Sequence, residues 1–400
     1  MKIIDGGNVC SAKGFQASGL ACGVKEEAKD LALVFSENRA SVAAVYTKNK
    51  VQAAPIRVCR EHLDDGTAKA VILNSGNANA CTGEQGLANA RRMCDLTADK
   101  LGLDTSEVVV CSTGVIGVQL PMSAIEEGIP QAVESLSGNG GGNAAAAIMT
   151  TDTVSKIFAV EVVVGGAKVR IGGMAKGSGM IAPNMATMLS VITTDAEVAP
   201  ELLRELLSKA TRRSFNCITV DGDMSTNDTV IVLANGASDA AVIEDQGEAV
   251  ECFYAGLEMV CRELARQIAR DGEGATKLVS IRVKGAVSEA EAQRIGLSVA
   301  NSNLVKTAVF GRDPNWGRIL CAVGYAGVDI DPQKVGVSLC GTPIYGDGAG
   351  IDFDNNALID AMGAEDIPID IDLGEGSEQA EIFTCDFSYD YVRINAEYTT

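Results

Sequence analysis

Hydrophobic residues recur along the chain at two spacings, and the first of these predicts strands. Short apolar runs rich in valine, isoleucine and leucine, bounded by glycine, proline, asparagine or aspartate, are typical of buried strands. Such runs predict strands at residues 31–35, 43–46, 56–59, 70–73, 108–111, 188–192, 215–220, 230–233 and 278–283, and residues 320–400 return mostly to strands. Residues 156–164 and 167–171 flank a Gly-Gly pair and predict a β-hairpin with a two-residue turn.

The second spacing, with apolar residues three and four positions apart, predicts amphipathic helices. It occurs over residues 84–101, 122–136, 200–212, 246–270 and 288–302. Pro130 removes an amide donor inside the second of these helices, so we expect that helix to kink or split. The glycine-rich residues 137–143 that follow predict a flexible connection.

The order of these elements indicates the fold class. Strands and helices occur in clusters rather than in strict alternation, which predicts an α+β fold of two sheets with helices packed outside. A length of 400 residues favours two or three domains. With 46% hydrophobic residues but only 4% aromatic ones, the chain can bury a sizeable core in which small side chains do much of the packing.

The charge balance indicates which class of ligand the protein binds. The chain carries 33 basic and 53 acidic residues, a net charge of −20, which argues against nucleic acid as a partner and favours a small-molecule ligand. The first five residues lack the apolar segment of a secretory signal, and no run of 18 apolar residues is present, so we expect no membrane partner. The 12 scattered cysteines include no C-x-x-C pair and predict reduced thiols in a cytoplasmic protein.

A single histidine, His62, excludes many kinds of catalytic site. Sites that need two histidines cannot be built from this chain, and the charged neighbours of His62 predict a surface position and a structural or incidental role. An enzyme without a histidine base needs another base. A free terminal amine, with an unperturbed pKa of about 8, is suited to that role.

Known cofactor and metal motifs fail when tested against the chain. Residues 173–179 contain the glycines, lysine and serine of a phosphate-binding loop, but in the wrong order. A calcium loop starting at Asp221 would need glycine and glutamate where Thr226 and Val232 stand. No G-x-S-x-G nucleophile motif is present. We therefore expect neither a metal nor a tightly held cofactor.

Residues 172–195 contain a candidate nucleophile. A glycine-rich loop runs through Pro183 to Ala186-Thr187 and then into an apolar run. Thr187 is open to two interpretations. It is a nucleophile that is freed when its hydroxyl attacks the preceding carbonyl and the chain is cut, or it is a β-branched residue that begins a strand.

Several segments, in order, resemble one known family. The Lys-Gly-Ser-Gly-Met-Ile-Ala-Pro-Asn-Met-Ala-Thr-Met-Leu run at 176–189 is similar to the ornithine acetyltransferase (glutamate N-acetyltransferase) family of arginine biosynthesis. Further family-like segments lie at residues 74–79, 112–117, 148–153, 215–223, 313–319 and 394–400. Ser155 departs from the family pattern, which has proline there, and puts no chemistry in doubt. The resemblance covers essentially the whole chain.

The resemblance implies a fold and a processing step. The fold would be an N-terminal-nucleophile-like sandwich of β-sheets with helices outside, plus a smaller C-terminal α/β region. Self-cleavage between Ala186 and Thr187 would give an α chain, residues 1–186, and a β chain, residues 187–400, of 186 and 214 (400 − 186) residues. The two halves would remain associated as an α2β2 or larger assembly.

The resemblance also implies site residues. Thr187 would be the nucleophile, and Thr113 and Gly114 would form the oxyanion hole, since a strand end followed by Thr-Gly can present a hydroxyl and a backbone N–H. The residues that would bind substrate are Thr150, Lys176, Thr187, Glu273, Asn395 and Thr400. Without the resemblance, the Thr113-Gly114 pair is an ordinary turn, the lysine is a solvated loop residue, the glutamate ends a helix, and the last two residues belong to a frayed tail.

The implied reaction transfers an acetyl group from N-acetylornithine to glutamate through an acetyl-threonine, without a metal or tightly held cofactor, and acetyl-CoA is a possible second donor. Two alternatives stay open at this point. One is a self-cleaving aminopeptidase or amidohydrolase with water as the acceptor. The other is a non-catalytic binding protein for a cationic amino acid, in which Thr187 has no chemical role.

Overall fold

The structure is a computed structural model that describes residues 1–182, 188–244 and 247–397. Its strands are β1 (Lys2–Ile3), β2 (Phe15–Leu20), β3 (Leu31–Tyr46), β4 (Thr67–Asn74), β5 (Val108–Ser112), β6 (Lys156–Val164), β7 (Ala167–Lys176), β8 (Leu189–Thr194), β9 (Thr229–Ala234), β10 (Leu278–Ala286), β11 (Gly336–Leu339), β12 (Thr342–Gly346), β13 (Ala349–Gly350), β14 (Asp366–Asp372) and β15 (Glu378–Cys385). Its helices are α1 (Ala54–His62), α2 (Gly83–Leu101), α3 (Met122–Glu134), α4 (Gly141–Ala147), α5 (Pro200–Arg212), α6 (Glu248–Arg270), α7 (Glu289–Ala300), α8 (Asn303–Phe310), α9 (Trp316–Gly324), α10 (Asn355–Ala361) and α11 (Tyr389–Glu397).

The larger sheet is mixed and has the strand order β1-β6-β7-β8-β9-β3-β4-β5, with β2 paired to β3. The long strand β3 joins its two halves, because its first part pairs with β2 and β4 and its second part pairs with β9. The pairs β4/β5 and β8/β9 are parallel and the other pairs are antiparallel. Strands β6 and β7 form the hairpin that the Gly-Gly pair predicts.

Helices cover the larger sheet and enclose two apolar cores. Helices α1 and α2 pack near β5, α4 packs on β2, and the long helix α6 packs on β6 and β7. One core contains Leu33, Ile72 and Met93, and the other contains Ile171 and Leu257, all fully buried. Burying each such side chain contributes about 1.5–3 kcal/mol, which fixes the helices on the sheet.

The smaller C-terminal sheet has the order β13-β12-β11-β14-β10-β15. Strands β10 and β14 are parallel, and helix α7 packs on β10 and β15 over a third core that includes Ile281, Ile369 and Ile382. The two sheets, the outer helices and this smaller α/β region confirm the α+β fold class. The division of the chain at Ala186/Thr187 stays a prediction, because both residues lie outside the described ranges.

Three local predictions are wrong. Residues 56–59 belong to helix α1, because Pro55 lies in the first turn of the helix and a four-residue apolar run fits a buried helix face as well as a strand. Residues 215–217 form a 3-10 turn rather than the start of a strand. The third concerns the split at Pro130: helix α3 continues through this residue, while the alternative of a kink there stays a prediction.

The glycine-rich segment 137–143 is not a flexible connection. Helix α4 begins within it, at Gly141. A Cβ at Gly140 would overlap the carbonyl oxygen of Ala17, so glycine is needed there for the close approach of two backbones. Composition alone does not distinguish this packing role from flexibility.

Candidate active site

One cavity collects the site residues that the structure describes. Thr113, Gly114, Thr150, Lys176, Glu273 and Asn395 all line it. They come from well-separated parts of the chain, so their meeting is a property of the fold. Ala186, Thr187 and Thr400 lie outside the described residues, but Met188, the neighbour of Thr187, also lines this site cavity.

The register of the larger sheet brings three of these chain segments together. Lys176 ends β7 and pairs with Leu189 at the start of β8, which in turn pairs with Thr229 at the start of β9. Met188 and Asp228 precede those two strands, so both reach the cavity at the same end of the sheet. Leu189, at the start of β8, is therefore held beside Lys176 by backbone pairing.

Thr113 and Gly114 follow strand β5 in a tightly held turn. The Thr113 N–H donates to Asn74 O at 3.0 Å, and Asn227 Nδ2 donates to the carbonyl oxygen of Ser112 at 2.8 Å. Gly114 has φ +130°, and a Cβ there would lie 2.5 Å from Asn77 N. Only glycine fits this position.

This turn leaves two donors for a ligand. Within residues 1–182, 188–244 and 247–397, no acceptor bonds the N–H of Gly114. The hydroxyl oxygen of Thr113 lies 3.4 Å from Lys176 Nζ, on the cavity wall. A hydroxyl and a free backbone N–H side by side are the donors that an oxyanion requires.

Lys176 is a buried cation rather than a solvated loop lysine. Only 7% of the residue is exposed. Burial lowers the pKa of its ammonium below the usual 10.5, while the Asp152 carboxylate acts in the opposite direction. A buried, desolvated ammonium at a cavity wall is suited to bind a carboxylate.

Glu273 supplies a buried carboxylate on another wall of the cavity. The residue is 8% exposed and lies just after helix α6, where its N–H donates to Ser178 O at 2.9 Å. Asn395 Nδ2 on helix α11 donates to Glu273 Oε2 at 2.8 Å. The carboxylate is therefore oriented by a neighbour that also lines the cavity.

Thr150 is held by Asp152, which does not line the cavity. The Thr150 N–H donates to Asp152 Oδ2 at 2.9 Å. Burial opposes ionisation of Asp152, but the nearby Lys176 and Lys156 ammonium groups outweigh it and lower the pKa to about 2. Asp152 is thus a carboxylate at neutral pH.

Sequence reasoning missed Asp228, Asn227 and Ser225, which also line the cavity. Burial raises the pKa of Asp228 well above its usual value, and within the described part of the chain Asp228 Oδ2 has no hydrogen-bond partner. The signal was the polar segment 221–228, which we tested only as a calcium loop. Asparagine and aspartate at a strand start do not by themselves indicate a cavity wall.

The other candidate features have structural explanations or none. His62 Nδ1 lies 2.7 Å from the carbonyl oxygen of Val108, and the ring is partly buried, so its role is structural. A group of three or more histidine, cysteine, aspartate or glutamate side chains able to hold a metal is not found in the described ranges. None of the helices in those ranges is long and apolar enough to cross a membrane.

The site cavity combines oxyanion-type donors with a buried ammonium and a buried carboxylate, which is the arrangement of an enzyme site for a small polar molecule. A family model described as the ArgJ family matches residues 16–400. The chain belongs to the ArgJ family.

Individual relatives agree with this assignment. The arginine biosynthesis bifunctional protein ArgJ of a Synechococcus species is 49% identical, with 98% of each chain covered. The protein of the same name from Caldanaerobacter subterraneus is 47% identical over both full lengths. The chloroplastic protein of Sorghum bicolor is 48% identical, covering all of this chain and 88% of its own.

Solved structures of relatives also match. A crystal structure of the arginine biosynthesis bifunctional protein argJ from Bacillus halodurans is 47% identical, covers 46% of this chain and 97% of its own, and has a TM-score of 0.44. The ornithine acetyltransferase of Mycobacterium tuberculosis, solved in complex with ornithine, is 40% identical, covers 46% of this chain and 99% of its own, and has a TM-score of 0.43.

Proposed function

We propose that this protein moves the acetyl group of N-acetyl-L-ornithine to L-glutamate through an acetyl-Thr187 intermediate, as a step of arginine biosynthesis. The observation that carries the proposal is a meeting of four groups in one cavity beside Met188: the Gly114 N–H, which no acceptor in the described ranges bonds, the Thr113 hydroxyl, a buried ammonium and a buried carboxylate. Relatives that are 47–49% identical over the whole chain carry names from arginine biosynthesis.

The two buried charges match the two ends of an amino-acid substrate. N-acetylornithine carries an α-carboxylate and a free δ-ammonium. Lys176 would bind the carboxylate and Glu273 the ammonium, since charge-assisted hydrogen bonds are about twice as strong as neutral ones. Thr150, Asn395 and Thr400 would complete the substrate contacts. The net charge of −20 also attracts a cationic group at long range.

The acetyl group would move in two displacements. The Thr187 hydroxyl oxygen attacks the acetyl carbonyl carbon while its proton passes to the free Thr187 amine, which then protonates the departing nitrogen of ornithine. The Gly114 N–H and the Thr113 hydroxyl donate to the oxyanion of the tetrahedral intermediate. Losing one such donor typically costs about 3–4 kcal/mol of barrier. The glutamate amine then attacks the Thr187 ester and leaves as N-acetylglutamate.

The free amine requires cleavage between Ala186 and Thr187. The Thr187 hydroxyl would attack the Ala186 carbonyl carbon and form an ester, which water hydrolyses. The halves 1–186 and 187–400 would stay associated as an α2β2 or larger assembly. Acetyl-CoA is a possible further donor. The reaction as proposed uses no metal or bound cofactor, takes place in the cytoplasm, and involves neither nucleic acid nor a membrane.

Initial rates test this proposal against its alternatives. With N-acetylornithine as donor, acetyl transfer to glutamate should greatly exceed release of free acetate, and Thr187→Ala should abolish both. Hydrolysis equal to or faster than transfer would favour an amidohydrolase instead. A Thr187→Ala variant that binds and behaves like the parent would favour a non-catalytic binding protein.

A further inference from the structure

Lys156 is a fully buried cation behind the cavity wall. Its Nζ lies 2.6 Å from Asp152 Oδ1 and 2.6 Å from Asp271 Oδ2, and 3.2 Å from the carbonyl oxygen of Val154. The Lys156 side chain is 0% exposed, and the residue does not line the cavity. Any effect of Lys156 on the cavity is therefore exerted through its hydrogen-bond partners.

Asp152 has both carboxylate oxygens occupied. Oδ1 accepts from Lys156 Nζ and, at 2.7 Å, from the N–H of Gly177. Oδ2 accepts from the N–H of Thr150 at 2.9 Å. These contacts orient the carboxylate toward Lys156 and toward two backbone donors on the segments that carry Lys176 and Thr150.

Lys176, the neighbour of Gly177, is left without a carboxylate partner. No carboxylate oxygen in the described ranges lies within 4.0 Å of its Nζ, whose one hydrogen bond there is the 3.4 Å contact with Thr113 Oγ1. Among the carboxylates of the described residues, Asp152 does most to raise the pKa of Lys176. A buried ammonium with so few partners is costly, so an anionic ligand gains more here than at a paired lysine.

We propose that Lys156 is a positioning residue that keeps Asp152 occupied and so leaves the Lys176 ammonium unpaired for a carboxylate ligand. This inference rests on the role of Lys176 in the proposed function. Without Lys156, the freed Asp152 oxygen would turn to Lys176, and a substrate carboxylate would have to displace it. Lys156 and the two buried aspartates, Asp152 and Asp271, thus form a structural cluster, and the second buried cation, Lys176, stays available for a ligand.

The binding of glutarate tests the inference directly. Glutarate has the two carboxylates of glutamate but no amine, so it cannot accept an acetyl group, and calorimetry measures its affinity without turnover. We expect Lys156→Met to weaken binding about tenfold, the usual effect of one charge-assisted hydrogen bond. Adding Asp152→Asn to Lys156→Met should restore the affinity, because the competing carboxylate is removed.

A matched double variant separates this role from charge balance and from folding. Lys156→Met with Asp271→Asn has the same net charge as the Asp152→Asn double variant but keeps the Asp152 carboxylate, so its affinity should stay low. Thermal unfolding of every variant reports folding, and Lys156→Gln replaces Lys156→Met throughout if the methionine variant does not fold.

Four results would overturn the inference: no binding by the parent, no loss in the single variant, no recovery in the double variant with Asp152→Asn, or equal recovery in both double variants. Failure of the proposed function looks different. In that case the glutarate series behaves as expected, while the parent transfers no acetyl group from N-acetylornithine to glutamate.

Discussion

Asn395 on the last helix donates a 2.8 Å hydrogen bond to Glu273, which lies 122 residues earlier in the chain. None of the described residues of helix α11 is fully buried. The rings of Phe387 and Tyr391 stack at 4.6 Å just before and within it. Asn395 is therefore part of the cavity wall rather than of a frayed tail.

Substitution of Asn395 should affect substrate binding more than folding. In Asn395→Ala the Glu273 carboxylate loses a donor that orients it, and removing a hydrogen bond to a charged group costs about 1.5–3 kcal/mol. We expect the KM for N-acetylornithine to rise about tenfold or more, with little change in Tm. Arg393→Ala on the same helix removes an exposed ion pair with Asp390 and is the control. Equal KM values for the two variants would contradict this account.

Gly114→Ala should be far more damaging than Gly117→Ala. Both residues have positive φ, +130° and +83°, so both substitutions strain the backbone by about 1 kcal/mol. Only at Gly114 would the added Cβ also overlap the backbone of Gly76 and Asn77, because the space around Gly117 is open. The overlap would displace the Gly114 N–H, and we expect kcat to fall about 100-fold or more in Gly114→Ala. Similar kcat values would show that this N–H is not needed.

Binding of a carboxylate should weaken at alkaline pH as Lys176 loses its proton. Because burial lowers the pKa of Lys176 below 10.5, the ammonium is lost at a lower pH than that of an exposed lysine. As the pH rises, the parent should therefore lose its affinity for glutarate before pH 10.5 is reached. Lys176→Arg should keep its affinity to higher pH, since arginine stays protonated. Identical pH profiles for the two proteins would exclude Lys176 as the cation that binds.

Asp228→Asn should change how stability depends on pH. Burial raises the pKa of Asp228 in the folded state, so above about pH 4 the unfolded chain releases a proton that the folded chain keeps. Stability from this group is present at low pH and declines as the pH rises, by up to about 1.4 kcal/mol per pH unit. Asparagine does not titrate, so the Tm of Asp228→Asn relative to the parent should increase from about pH 5 to about pH 7.5. A constant difference would show that Asp228 is ionised throughout.

The long periodic segments were predictable from sequence, because each has one dominant apolar face. The helix over 200–212 and the hairpin around Gly165 match the structure closely. The predictions for short segments were wrong where tertiary packing determines the local structure, as at residues 56–59 in helix α1 and at Gly140 against Ala17. In such segments the local pattern fits more than one structure.

The residues of the site also fall into those that the sequence predicts and those that it does not. The resemblance of local motifs identified Lys176 and Glu273, which line the cavity. It did not identify Lys156 or Asp228, because their roles depend on partners that the fold brings from distant segments. A lysine that begins a strand and an aspartate that precedes one are unremarkable in sequence. Their burial and their partners become visible only in three dimensions.

The central claim is that Thr187 becomes a free terminal residue and carries the acetyl group, and mass spectrometry under denaturing conditions tests it most directly. Freshly purified protein should give two chains of 186 and 214 residues that meet at Ala186/Thr187. Incubation with N-acetylornithine should add one acetyl group to the longer chain, and glutamate should remove it. A single chain of 41.5 kDa that never gains an acetyl group would contradict the account.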